Sequence, residues 1–199
     1  MAYPAIEAPY GLRPIGLIGS RVYAGAFRQF PIASGSATPI FNGDVVRIAS
    51  DGTVVKETGT TSATPVGVFL GCSYTDPVFG KVFRQHYPGG VTAADIMAHV
   101  CDDPDTLFKV AVVSSGTTIA SVTRTVVGNN TSLVQNNGNA VTGNSAVAAS
   151  ASTATTATLP LRIVDVVEET HVPGDPAAYT EVIVKWNFGM HQYQNATGV

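Results

Sequence analysis

The acidic run Asp102-Asp103-Pro104-Asp105 is the densest set of potential ligands in the chain, and carboxylates of this kind hold hard cations such as calcium. Its spacing is not that of an EF-hand loop, and Asp before Pro commonly opens a turn or caps a short helix, so a turn is the expectation. The four histidines, His86, His99, His171 and His191, are widely separated. No HExxH or comparable spacing joins them, and zinc is not expected. His86 and His99 fall in adjacent candidate strands and could meet across a sheet, as a structural pair or as exposed rings. Cys72 and Cys101 form no CxxC arrangement. They are expected as thiols facing a core, a disulfide requiring Cα atoms about 6 Å apart.

Nucleophilic chemistry has little support. Serines and threonines are abundant, but none sits in a Gly-x-Ser-x-Gly elbow, and Tyr87-Pro-Gly-Gly-Val91 does not resemble a phosphate-binding loop opening a helix. Asn130-Thr131-Ser132 and Asn195-Ala196-Thr197 match the glycosylation sequon, and in the absence of a signal peptide both are read as chance. Tyr74, Phe79, Phe83, Tyr87, Trp186 and Tyr193 could form a sugar-binding platform, although core-facing strand positions account for most of them. No catalytic residue, metal or cofactor is assigned, and the chain is not expected to be an enzyme.

Composition narrows the field further. Charged residues make up 13% of the 199 residues, against about 25% in ordinary soluble proteins. A low-charge surface suits subunit contacts, because desolvating charge costs free energy. The net charge of -3 and the absence of Lys/Arg clusters give no reason to expect nucleic acid. No basic leader precedes an apolar run, and no apolar stretch approaches ~18 residues, so neither targeting nor membrane segments are expected.

The elements that would position any site divide the chain in three. Residues 1-39 carry five of the twelve prolines, Pro4, Pro9, Pro14, Pro31 and Pro39, which exclude a long helix or a central strand. The stretch is nevertheless apolar, and an extended irregular arm of this kind needs a surface, either its own body or a neighbouring subunit. Residues 40-188 read as an all-β body of short strands, a compact barrel or sandwich, and 189-199 as a C-terminal tail. The expected strands are 45-49, 53-56, 65-72, 81-87, 95-101, 107-113, 161-168 and 181-186. Asp51-Gly52 marks a hairpin of the type I′ class. In the last strand Val182, Val184 and Trp186 face a core, while Glu181, Ile183 and Lys185 turn outward.

Between Ser114 and Thr158 the chain is built from Thr, Ser, Ala, Asn, Gly and Val, with Arg124 its only charged residue. Short strands and loops packed against other chains are expected there rather than disorder. Ala120 to Val127 could form a short helix stopped by Gly128.

Taken together, Tyr10-Gly-Leu-Arg-Pro14, the run Tyr23-Ala-Gly-Ala-Phe-Arg-Gln-Phe-Pro-Ile-Ala-Ser-Gly-Ser-Ala-Thr-Pro-Ile-Phe-Asn-Gly-Asp-Val-Val46 and Pro65-Val-Gly-Val-Phe-Leu-Gly-Cys72 resemble the capsid decoration, or cement, proteins of short-tailed bacteriophages of cyanobacteria and marine bacteria. Thr142-Gly-Asn-Ser-Ala-Val147, Leu159-Pro-Leu-Arg-Ile-Val-Asp165, Glu181-Val-Ile-Val-Lys185 and Asn195-Ala-Thr-Gly198 extend the likeness over nearly the whole chain. It is a likeness of overall pattern and contains no chemical motif. It implies a structural virion protein, made in the host cytoplasm, that sits on the outer capsid surface and clamps adjacent major capsid proteins as a homotrimer. No nucleic acid or membrane partner is implied.

On that reading the arm supplies capsid or subunit contacts through Tyr10, Leu12, Arg13, Tyr23, Phe27, Arg28 and Phe30, aromatic and arginine types being enriched at interface hot spots. The competing reading is that the arm packs on its own body. Two other classes remain: a tail-fibre or spike module binding a host glycan, and a small hydrolase with convergent Ser, His and Asp groups.

Overall fold

In the segment Glu181-Val-Ile-Val-Lys-Trp186 every second residue is large and apolar, and a pleated strand sends these to one side. A computed structural model, which describes residues 6-198, shows that side closing a barrel. Pro4 of the arm lies outside the described residues. In chain order the first strands are β1 (Arg13–Leu17), β2 (Arg28–Pro31), β3 (Val45–Ile48), β4 (Val54–Lys56), β5 (Gly67–Asp76) and β6 (Gly80–Arg84). Next come β7 (Met97–Cys101), β8 (Thr106–Ser115), β9 (Thr118–Ile119), β10 (Val122–Thr123) and β11 (Asn130–Val134). The last are β12 (Ala148–Ala154), β13 (Leu161–Val166), β14 (His171–Val172), β15 (Asp175–Tyr179) and β16 (Glu181–Trp186). The architecture is all-β, and the only helical elements among the described residues are short 3-10 turns.

Strands β8, β12, β11, β13 and β16 pair in that order, and β16 returns to β8, so the ring is closed. Closure leaves these five staves without a free edge, which is how a barrel satisfies its backbone. Only the β8 and β12 pair is parallel, with Ala149 opposite Val112. A parallel neighbour requires a long crossover, and β9, β10 and β11 all lie within it. The interior is filled by Phe108, Val110, Val112, Leu133, Ala149, Leu161, Ile163, Val182, Val184 and Trp186, all at most 2% exposed. Phe108 and Trp186 meet with ring centroids 5.3 Å apart.

A second sheet runs β2-β7-β5-β3-β4, with β6 pairing the far half of β5. One of its faces sends Val45, Val68 and Cys101 into the barrel core. The other buries Val46, Phe69, Cys72, Tyr74, Ala98 and Val100 beneath Phe30, Ile32, Ile40, Tyr87 and Ile96. Covered on both sides, β5 reads as a nearly continuous apolar run rather than an alternating one. Cys72 and Cys101 therefore belong to different cores, and both are free thiols.

Several sequence expectations need amendment. The hairpin at Asp51-Gly52 exists, but only Gly52 has positive φ, at +79°, and Gly52 N–H donates to Ala49 O. Ser50, Asp51 and Gly52 thus form a three-residue type I turn with a glycine bulge, not a type I′ turn. Residues 120-127 contain β10 followed by a single 3-10 turn at Arg124–Val126 in place of a helix, because consecutive β-branched residues resist helical packing. In β16 the alternation holds, except that the outward Glu181 is only 3% exposed.

The tract 114-158 contributes two barrel staves, β11 and β12. Its low charge is explained within the monomer, since Asn130, Thr131, Leu133, Val147, Ala148 and Ala149 are all buried. Arg124, its one charge, pairs with Asp165 at 3.0 Å and Glu168 at 2.7 Å.

Replacing Leu133 with Ala should cost about 2–5 kcal/mol in denaturant unfolding. Val141→Ser in the same tract, at a residue 95% exposed, should change stability by less than about 0.5 kcal/mol. Burial pushes the Cys72 thiol up to about 11 and raises that of Cys101. A thiol reagent at pH 8 should therefore label neither cysteine in the native protein and both after unfolding.

Candidate interaction surface

Of the seven arm residues selected from sequence, Tyr10, Leu12 and Arg13 lie where the arm crosses its own body. Gly11 has φ +84°, and a Cβ there would stand 2.7 Å from both Gly43 O and Ser145 Cβ. Only glycine permits this approach. It lets Gly11 N–H donate to Val147 O and Leu12 N–H donate to Gly43 O, at 3.1 and 3.0 Å. Leu12 then enters the barrel core fully buried. The Arg13 guanidinium reaches Asn42 Oδ1 and, at 2.8 Å, Asn144 Oδ1. Tyr10 donates its hydroxyl to Glu181, whose carboxylate also lies 3.6 Å from Lys109 Nζ. Burial, with Glu181 alongside, pushes the Tyr10 hydroxyl well above its ordinary pKa, so it stays a donor.

These contacts place Tyr10, Leu12 and Arg13 in the fold of the subunit itself. Strand β1 pairs with β8 at the rim of the barrel, and β2 pairs with β7 at the edge of the second sheet. Both are edge strands, the positions open to Pro14 and Pro31. Phe30, 8% exposed, belongs to the second core, and half-buried Tyr23 packs against the first while donating its hydroxyl to Ala26 O at 2.9 Å.

Phe27 and Arg28 stand apart from the other five. Phe27 is 51% exposed and its ring lies 4.8 Å from that of His99. Phe83, 74% exposed, also approaches this imidazole, at 6.3 Å between ring centroids. His99 in β7 faces Gln29 of β2 and Gly71 of β5 across the sheet. The face that meets the barrel at Val68 and Cys101 thus continues past it and carries an uncovered Phe27-His99-Phe83 group. Burial and nearby Lys81 lower the His99 pKa, so the ring at the centre of the group is neutral at pH 7.

The same sheet ends in a projecting turn. Asp76 accepts from the N–H groups of Val78 and Phe79, at 2.8 and 3.0 Å, and Gly80 closes the loop with φ +74°. This Asx turn presents Val78 and Phe79, 80% and 75% exposed. The sequence does carry a signal for it. In Asp76-Pro77-Val78-Phe79-Gly80 turn residues bracket two large apolar ones, where a turn normally holds polar residues.

Arg28 ion-pairs with Asp102 at 3.1 Å and lies over the Tyr193 ring, 5.6 Å from its centroid. The remaining carboxylates of the acidic run are also engaged. Asp103 accepts from Asp105 N–H at 2.8 Å, and Asp105 meets Arg21 and Lys185. The run is an Asx turn with cation partners, and among the described residues no group of three His, Cys, Asp or Glu side chains is placed to hold a metal. His86 stacks on Phe41 at 5.4 Å, while His99 belongs to the group above, so each has its own aromatic partner. Of the six aromatics that could have formed a sugar platform, Tyr74, Tyr87 and Trp186 are at most 3% exposed. Phe79, Phe83 and Tyr193 are left at the surface.

No family model matches the chain, and no curated protein or solved structure matches it either. Among the described residues no helix is long and apolar enough to cross a membrane.

Gly11→Ala should destabilise the protein by about 2 kcal/mol or more, by forcing the arm off Gly43 and Ser145 at a φ that alanine resists. Thermal unfolding measures this, and an unchanged melting temperature would show that the arm crosses the body more loosely.

Proposed function

We propose that the chain is a structural virion protein that binds the outer surface of a phage head. It stabilises the head by clamping adjacent major capsid proteins, as a homotrimer and without enzymatic chemistry. The resemblance of nearly the whole sequence to capsid decoration proteins supports this reading. The observation that carries it is the exposure, by at least 51%, of Phe27 and Phe83 about His99 and of Val78 and Phe79 on the β5–β6 turn of the same sheet. Exposed apolar groups gathered in one region mark a protein contact, because their hydration is unfavourable until a partner covers them.

The reading assigns different tasks to different parts of the arm. Tyr10, Leu12, Arg13 and Phe30 build the subunit, Phe27 is left uncovered for a partner, and Arg28, though paired with Asp102, keeps 63% of its side chain exposed. A ligand that binds the assembled lattice but not its separated subunits stabilises the lattice by mass action. Three copies in one trimer would add avidity to a modest individual contact. A rigid barrel behind the contact sheet lowers the ordering cost of docking.

The double variant Phe79→Ser/Phe83→Ser should keep the wild-type melting temperature, since both rings are about three-quarters exposed. Its binding to heads lacking the protein should fall by at least about tenfold. Undiminished binding would exclude the sheet as the contact. Failure of the wild-type protein to bind heads, together with binding to host polysaccharide, would favour the tail-fibre alternative.

A further inference from the structure

The segment after β16 is fastened by a buried titratable ring. His191 is fully buried, and its Nδ1 accepts from Tyr193 N–H at 3.2 Å at the start of the 3-10 turn Gln192–Gln194. A ring nitrogen that accepts carries no proton, so the neutral imidazole holds its proton on Nε2. Nε2 is buried and makes no hydrogen bond of ordinary geometry, although the Val66 and Asp102 backbone lies near enough to favour its proton.

The residues that follow depend on this geometry. Gln192 N–H donates to Pro65 O at 2.8 Å. Its side-chain amide accepts from Ile48 N–H at 2.7 Å and donates to Ile48 O at 3.1 Å, completing the end of β3 as another strand would. Tyr193 packs its ring edge against His191 at 5.1 Å and donates its hydroxyl to Asp102 at 3.0 Å. Arg28 joins the same hydroxyl and carboxylate, at 3.4 and 3.1 Å. One buried ring thus stands at the root of contacts that reach β2, β3 and the loop after β7.

We propose that His191 is a pH-sensitive latch, which holds residues 191-198 against the body while neutral and releases them when protonated. A protonated Nδ1 cannot accept from Tyr193 N–H, and the resulting cation would be buried. The charged and titratable groups around the ring are Asp102 and Asp103 from the loop after β7, Arg28 from β2, and Tyr193 from the segment itself. The neighbouring Pro65-Val66 segment is uncharged. Burial lowers the His191 pKa more than the Val66 and Asp102 backbone and the Asp102 and Asp103 carboxylates raise it, so the docked ring titrates below the ordinary imidazole value of about 6.5. With the docked pKa depressed, the contribution to docking is complete above about pH 6.5 and is lost as pH falls through the docked value. Release would detach Tyr193 from the Arg28 and Asp102 pair, next in sequence to Phe27.

Hydrogen exchange of the full chain at pH 7.5 and pH 5.5, expressed as protection factors corrected for intrinsic exchange, tests the latch. Protection of Ile48 and of residues 192-198 should fall several-fold at pH 5.5. One pH unit below the free imidazole pKa limits the effect to about tenfold. The β8 amides should be unchanged. His191→Asn retains an acceptor but does not titrate, and should give equal protection at both pH values. Asp102→Asn should keep the wild-type response. Equal protection in the wild-type protein at both pH values overturns the latch, whether or not the variants fold. So does loss of the response in Asp102→Asn, or an NMR titration placing His191 at or above pH 6.5.

Discussion

The pairing of β8 is the constraint on which the rest of the fold depends. This ten-residue strand is hydrogen-bonded to β1, β9, β12 and β16, so it forms both the seam of the barrel and the dock for the arm. Phe108, Val110 and Val112 project from it into the interior. The second sheet rests on the same core through Val45, Val68 and Cys101, so a barrel that failed to close at β8 would remove its support as well. A change in register at this strand would turn Phe108, Val110 and Val112 outward together.

A buried ion pair adds a polar fixed point to this apolar frame. Asp44 is completely buried and accepts from Phe41 N–H at 2.9 Å, Ser145 Oγ at 2.6 Å and Lys56 Nζ at 3.0 Å. A carboxylate with three donors is tolerated where an unpaired one is not. Its position matters because Ser145 and Gly43 also flank Gly11. The arm crossing, the β3 hairpin and the chain leading into β12 are thereby tied at one place, although residues far apart in sequence supply the parts.

The legible parts of the sequence are those whose structure is decided locally. Glu181 to Trp186 shows its core face by alternation, Asp51-Gly52 announces a hairpin, and Asp102 to Asp105 reads correctly as a turn. The less legible parts depend on distant partners. Nothing local in Ala-Ala-Ser-Ala-Ser-Thr-Ala154 says that β12 lies parallel to β8, because parallel pairing is set by the crossover rather than by a turn. Charge depletion in the tract 114-158 suggests neighbouring chains, whereas burial in the subunit's own barrel is sufficient to explain it. Glu181 reads as outward and is outward, but Tyr10 covers it from 171 residues away. Among the arm residues, composition does not separate Leu12 and Phe30, which are core, from Phe27, which is exposed. The apolar pair Val78 and Phe79, set between turn residues, is the one local clue to the exposed apolar surface.

An exposed apolar group on a sheet edge invites indiscriminate pairing, and the way this sheet limits that risk indicates which interactions it favours. Edge strand β6 carries Lys81 and Arg84, and edge strand β2 carries Arg28 and ends at Pro31. Charged side chains and proline discourage another strand from adding at β6 or β2. The apolar side chains are instead offered from the sheet face and from the turn after β5, where the backbone is already committed. Association through side chains requires complementary shape, whereas backbone pairing does not, so the arrangement disfavours strand addition at β2 and β6 while leaving an apolar surface uncovered. If this surface binds a partner as proposed, its specificity would reside in Phe27, Val78, Phe79 and Phe83 and in the charges around them, held by a sheet that rests on the barrel core.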